Sequence, residues 1–351
     1  MSVHKILFVG LRALGDMVLS MSAVQAVKDT CPDAAIDYVM ETPFVPLFSE
    51  ESVFRSVIGL PRSGSSSFFR RHVFDEKYLK FLKSIRSERY DAVFDLFSRG
   101  PRSRIITLAS GAKRRIGIHG HPTLLLDPHV YTDRIFLPNA LTQMSDQMLH
   151  IVSRLGFATG RTNPVLTVRP ENVKKALDLL VGFPEICPKG FYILFPGSGM
   201  KNKNWPAPKY MGLSRSLMER GFGVLALGGP SDSEALGELS KRMQPGTHLF
   251  KSMLQSDLPT LKGLISLSRG VVGNDSGPIH LAQAVGKKVV ALFGPGDHVS
   301  YRPFNGTLVR SDLGCSPCQT FGNRCPDNLC MQSITVETVL EKLDQLETLT
   351  A

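Results

Sequence analysis

The 351-residue chain has one tryptophan, Trp205, only six cysteines, and no apolar run near the roughly 18–20 residues that cross a bilayer. A membrane-spanning helix is thereby excluded. The opening MSVHKILFVGLRALGD runs straight into a strand pattern, and Arg12 and Asp16 interrupt it before any small-residue cleavage site, which argues against a signal peptide. The expected location is the cytoplasm. Two phosphate-handling patterns are also missing. Gly10 and Gly15 do not form Gly-x-Gly-x-x-Gly, so the first loop lacks a dinucleotide cradle and a dehydrogenase loses its main support. No Asp-x-Asp triplet occurs, so that familiar metal and diphosphate clamp is absent as well.

What is present is a rhythm. Short apolar strands alternate with longer amphipathic segments, as in βα units around a parallel sheet. The pattern predicts strands at 5–11, 36–40, 56–60, 92–96 and 115–118, and again at 191–195, 224–227, 271–273 and 289–293. With 42% hydrophobic residues, the length suits two sizeable cores. The turn-rich GFATGRTNPVLTVRP at 156–170 reads as a linker between a domain over 1–165 and a second over 171–332. A last helix over 333–351 is a candidate to cross back to the first domain.

Two strand-to-helix junctions carry anion-binding chemistry. In GNDSGPIHLAQAVGKKVVALFGP (273–295), Asp275, Ser276 and Gly277 turn a buried strand into a helix, with Pro278 in its first turn. The unpaired amides and the dipole of that turn favour a phosphate, so Asp275 is expected to face sugar hydroxyls instead. The competing reading is plain capping by Asp275 and Ser276. In FYILFPGSGMKNKNWP (191–206), Gly197 and Gly199 permit close backbone approach, Ser198 adds a hydroxyl, and Lys203 supplies a mobile charge. Trp205 is read as a packing anchor. His280 is a candidate second support for a diphosphate, or else a core histidine.

PGSGMKNKNWP at 196–206, LGGPSD at 227–232, VGNDSGPIHLAQAVGKKVVALFGP at 272–295 and GCSPCQTFGNRCPDNLCM at 314–331 together resemble glycosyltransferase family 9. These are the bacterial heptosyltransferases that extend the lipopolysaccharide inner core. The resemblance implies an α/β GT-B architecture, two Rossmann-like domains facing across a central cleft. It implies ADP-heptose as donor, bound by Ser198, Gly199, Lys203, Asp275, Ser276, Gly277 and His280, with no cofactor and no catalytic metal. In the family, an aspartate in the same Leu-Gly-Asp element is the proposed general base, and Asp16 matches it here; the local alternative is an N-cap. A base is needed because an acceptor hydroxyl is a poor nucleophile until it loses its proton. Some members hold the ribose with a glutamate, and no equivalent stands out over 248–261. Another nucleotide-sugar donor or acceptor, a sugar-nucleotide epimerase of the same fold, and a noncatalytic glycolipid binder remain as alternatives.

Charge is uneven. Residues 1–170 carry 22 Lys and Arg against 15 Asp and Glu, whereas 171–351 carry 19 against 16. Within 55–115 the count is 15 to 5, which suggests a polyanionic partner. Arg62, Arg70, Arg71 and Arg102, beside strand ends, are the acceptor-binding candidates. An anionic Kdo-lipid A or a heptosylated core fits, as does peripheral association with the anionic inner face of the inner membrane. Nucleic acid is discounted because no nucleic-acid motif accompanies the charge. Finally, Cys315, Cys318, Cys325 and Cys330 form C-x2-C-x6-C-x4-C, compatible with a structural zinc or with four reduced thiols. Cys31 and Cys187 are isolated.

Overall fold

The computed structural model describes residues 4–60, 76–97, 100–119, 127–160, 163–184, 189–242, 250–254, 257–318, 325 and 327–348. The chain divides into two compact units, Met1–Pro164 and Val165–Ala351.

Each unit is built on one six-stranded, wholly parallel sheet. In the first, β1 (Lys5–Gly10), β2 (Ala35–Glu41), β3 (Ser56–Leu60), β4 (Ala92–Asp95), β5 (Arg114–Ile118) and β6 (Asp133–Ile135) lie in the order β3-β2-β1-β4-β5-β6. In the second, β7 (Phe191–Phe195), β8 (Gly223–Gly228), β9 (Phe250–Leu254), β10 (Gly270–Asn274), β11 (Val289–Phe293) and β12 (Gly306–Arg310) lie in the order β12-β11-β10-β7-β8-β9. Counted from the first strand of each unit, both orders are 3-2-1-4-5-6, the doubly wound arrangement of a Rossmann domain. Central strands such as FYILF and VVALF are buried along their whole length because helices cover both faces of a parallel sheet.

This topology creates one switch point per unit, between β1 and β4 and between β7 and β10, where successive crossovers leave in opposite directions. Ligands of such sheets bind beyond the carboxyl ends of the strands at that point. The nine strands read from sequence are present. The three missed, β6, β9 and β12, are short or polar strands at sheet edges.

At the opposite end of the first sheet, the fully buried Asp37 receives a two-pronged Arg55 guanidinium, with Nε to Oδ1 at 2.9 Å. Tyr90 Oη also donates to Oδ2 at 2.6 Å. Burial, followed by the Asp37 contact, holds the Tyr90 hydroxyl far above its ordinary pKa and keeps it a donor. Arg55 also meets Glu88 at 2.7 Å, fastening the starts of β2 and β3 to the turn before β4.

The final helix, Val336–Thr348, packs Val339 and Leu343 into the second unit's core beside Leu213, Leu217 and Val309. Among the described residues, no helix is long and apolar enough to cross a membrane.

Candidate functional site

In the second unit, the loop after β7 and the β10-to-helix junction meet at the switch point. Lys203 Nζ donates to Asp275 Oδ2 at 2.6 Å, joining residues 72 apart in sequence. Their side chains are only 18% and 7% exposed. Gly296, from the loop after β11, lies so close that a Cβ there would overlap Asp275 Oδ2 and approach Lys203 Nζ. Only glycine lets that third loop close over the pair.

Asn274, fully buried at the end of β10, fixes the register of these loops. Its Oδ1 accepts from Trp205 N at 3.0 Å and from Tyr210 Oη at 3.1 Å, while Nδ2 donates to Pro196 O at 2.8 Å. Trp205 Nε1 donates to Ile334 O at 3.0 Å, and the ring meets Tyr210 edge-on, so Trp205 is an anchor. Ser198 Oγ lies 2.6 Å from both Met200 O and Asn204 Oδ1. Around Gly199 there is open space.

Ser276 is the N-cap of helix Gly277–Ala284, yet its side chain makes no capping bond, and its Oγ is buried without a hydrogen-bond partner. The capping reading of Asp275 and Ser276 therefore fails on geometry: one carboxylate oxygen holds Lys203, and the hydroxyl is unused. The first-turn amides of the helix are thus not capped by the Ser276 side chain, and such amides with the helix dipole suit an anion. His280 sits one turn further on, 3% exposed, against the Tyr301 ring.

Beside these loops opens a pocket of about 300 Å³ lined by Ser198, Asn204, Trp205, Asp232, Glu234 and Glu238. Asp232 Oδ2 accepts from Gly229 N at 2.9 Å, and Lys201 Nζ lies 2.7 Å from Glu234 at the exposed rim. The sequence offered no ribose-binding carboxylate over 248–261, and the two acidic residues Asp232 and Glu234 that line this pocket follow β8 instead. The available signal was the carboxyl-end rule applied to LGGPSDSE.

In the first unit, helix Leu14–Thr30 starts at the end of β1 with Ala13, not Asp16, as its N-cap. Asp16 instead lies inside the first turn, 5% exposed, and accepts from Arg12 Nε at 3.2 Å. Beneath it, Tyr38 Oη shares a 2.7 Å hydrogen bond with Ser20 Oγ. Burial holds that hydroxyl neutral well beyond its usual range; the Ser20 bond opposes this, and the charges of Asp16 and Asp95 add to it.

Next to Arg12 is a pocket of about 130 Å³ lined by Leu11, Arg12, Asp95, Phe97 and residues 100–103. It occupies the β1/β4 switch point. Asp95 accepts from Tyr131 Oη at 2.7 Å, and Arg102 donates to Glu41 Oε1 at 3.1 Å. The structure thus brings Arg12, Asp16 and Arg102 to one sheet end, with each guanidinium held by a carboxylate. Arg62, Arg70 and Arg71 lie outside the described residues.

Of the cysteine cluster, Cys315 and Cys325 are exposed, Cys318 is half-buried and Cys330 is buried. Burial pushes the Cys330 thiol up, and the neighbouring Cys325 and Cys315 add to that effect. Among the described residues, no three His, Cys, Asp or Glu side chains are grouped so as to hold a metal ion. Cys187 lies outside the described residues.

The model for glycosyltransferase family 9 (heptosyltransferase) matches residues 78–327. Lipopolysaccharide heptosyltransferase 3 of Escherichia coli K12 is 24% identical over 307 residues, 86% of this chain and 85% of that protein. Among solved structures, a family 9 glycosyl transferase from Veillonella parvula superposes with a TM-score of 0.82 at 19% identity, covering 99% of this chain and 98% of that one. E. coli ADP-heptose lps heptosyltransferase II gives 0.77 at 22% identity, over 97% and 98%. These likenesses agree with the two Rossmann-type sheets and give the chain its fold class, GT-B. The family match spans well over half of the sequence, and this chain is a member of glycosyltransferase family 9, the heptosyltransferase family.

Proposed function

We propose that the protein transfers heptose from ADP-heptose to an inner-core lipopolysaccharide acceptor by a single inverting displacement that needs no metal. The observation that carries this reading is the Lys203–Asp275 contact beside the start of helix Gly277–Ala284, which puts a cation, a carboxylate and unpaired amides at one switch point. Asp16 removes the proton of the acceptor hydroxyl as that oxygen attacks the anomeric carbon from the face opposite the diphosphate. The carbon–oxygen bond to the diphosphate breaks, and ADP leaves with the electron pair.

The leaving diphosphate meets Lys203, Ser198, the Ser276 hydroxyl, and the Ser276 and Gly277 amides. These are donors fixed before reaction, which is where electrostatic catalysis gains most. An ammonium has three donors, so Lys203 reaches a phosphate without releasing Asp275. Asp275 in turn accepts from sugar hydroxyls, and His280 supports the cradle from the next helical turn. The ribose hydroxyls meet Asp232 and Glu234 in the adjoining pocket. The acceptor lies on the first unit, and the basic excess there favours an anionic glycolipid, Kdo-lipid A or a heptosylated core, at the inner membrane surface.

Nucleotide choice is tested by thermal unfolding in chelator with ADP, UDP or GDP. A ligand at about 100 times its Kd stabilises the folded state by ~2.7 kcal/mol, which reads as several degrees in Tm. ADP is expected to give the largest shift. A larger shift with UDP or GDP removes the ADP-sugar assignment and leaves the fold in place.

A further inference from the structure

One buried amide ties together the loops that meet at the second unit's switch point. Asn274 ends β10 with no exposed surface and directly precedes Asp275. Its Nδ2 donates to Pro196 O at 2.8 Å, and its Oδ1 accepts from Trp205 N at 3.0 Å. Those two backbone groups are the ends of the loop that carries Ser198 and Lys203. A single side chain, 78 and 69 residues away in sequence, therefore closes that loop. Nδ2 also lies 3.5 Å from Asn204 Oδ1, the atom that accepts from Ser198 Oγ at 2.6 Å.

This position requires a donor and an acceptor on one short side chain. A backbone carbonyl only accepts and a backbone N–H only donates, so the partners fix which way the amide points. Tyr210 Oη, 3.1 Å from Oδ1, adds a second donor on the acceptor side, and burial holds that hydroxyl protonated well beyond its usual range. An ionised aspartate has no donor for Pro196 O, and an apolar side chain would leave two buried backbone groups unpaired. The amide is also neutral. It adds no charge beside Asp275 or beside a diphosphate.

We infer that Asn274 is a positioning residue for the transfer: through Pro196 and Trp205 it holds the loop so that Ser198 and Lys203 stand in their diphosphate-binding places before the donor arrives. The inference rests on reading these loops as the nucleotide side. Asn274 touches no reacting atom and acts only through the loop it closes.

The test compares full-length wild type with Asn274→Asp, titrating ADP across a range of pH well below either Tm. A buried carboxyl has a raised pKa, so the variant's clamp is complete at low pH, where the protonated carboxyl donates to Pro196 O, and breaks as pH rises and the proton leaves. The ADP affinity of the variant relative to wild type should be near one at low pH and fall about 10- to 100-fold at high pH, the effect of misplacing a hydrogen bond to a charged group. Tyr210 on the helix, Lys203 in the loop, Asp275 at the strand end and ADP itself titrate in both measurements, and the ratio removes their shared contribution. Trp205, the only tryptophan of the chain and 2% exposed, reports the loop directly, and its emission should shift to the red over the same pH range. Asn274→Ala, which places no charge at the site, carries the test if the ionised aspartate unfolds the protein; it should lose affinity equally at every pH. A ratio for Asn274→Asp that does not change with pH would overturn the inference. So would a fall in Tm with ADP affinity and Trp205 emission left as in wild type, which is the mark of a purely structural residue, or an alanine variant that binds as wild type does. If wild type binds UDP or GDP in place of ADP, the ADP assignment fails and the same comparison with that nucleotide decides the role of Asn274; a wild type that binds none of the three overturns both.

Discussion

Asp16→Asn should lower kcat about 10²- to 10⁴-fold, the range that a positioned general base contributes, while leaving the Kd for ADP unchanged. Asparagine has nearly the same shape, and its carbonyl oxygen can still accept from Arg12 Nε, now 3.2 Å from the carboxylate. The fold should therefore survive. Arg12 is 38% exposed, so loss of its ionic partner is cushioned by water and stability should change little. Nucleotide affinity should hold because the residues proposed to bind ADP all belong to the second unit. The informative result is a separation: acceptor and ADP bind, and transfer stops. Turnover within a few-fold of wild type would remove Asp16 from the base role.

Lys203→Ala should reduce kcat/KM by about 10²- to 10³-fold, comparable to removing a fixed donor from a developing negative charge. A second effect accompanies this one. The Asp275 carboxylate, 7% exposed, loses the cation bonded to it at 2.6 Å. Breaking a buried pair from one side destabilises by about 3–5 kcal/mol, because the remaining charge is left uncompensated. Activity could then fall through loop collapse rather than lost electrostatics.

The double variant Lys203→Ala/Asp275→Asn separates these causes, since contacting residues are expected to be non-additive. It should recover most of the lost Tm, because the lone carboxylate has gone, but none of the lost kcat/KM. Recovery of activity along with Tm would assign Lys203 a purely structural role. The remaining attraction for diphosphate should weaken with added salt less than an exposed contact would, because the site is largely covered.

The central strands were legible because FYILF and VVALF are apolar along their length, as burial on both faces demands. Three of the four edge strands were not. FKSML and GTLVR carry charge on a half-open face, and the three-residue DRI has too little pattern to separate it from a loop. Motifs confined to one strand-to-helix turn were also readable, since Asp16, Ser198 and Ser276 each sit within a few residues of a strand end. What one-dimensional reading could not supply is the pairing across the sheet. Arg102 was read as a polyanion contact beside a strand end, and its partner Glu41 lies 61 residues away. Lys203 and Asp275 were read as ligand contacts, and that they also touch each other shows only when their loops meet. Asn274 gave no signal of its own, because a buried amide that ties two loops together is recognisable only once the loops meet.

The most direct test is ADP release by purified protein given ADP-heptose in excess chelator, with and without Kdo-lipid A or a heptosylated core acceptor. Release that depends on acceptor and persists in chelator is the predicted result. Release without acceptor, conversion of the donor with no ADP formed, or turnover restored only by UDP- or GDP-sugars would contradict the proposed heptosyl transfer.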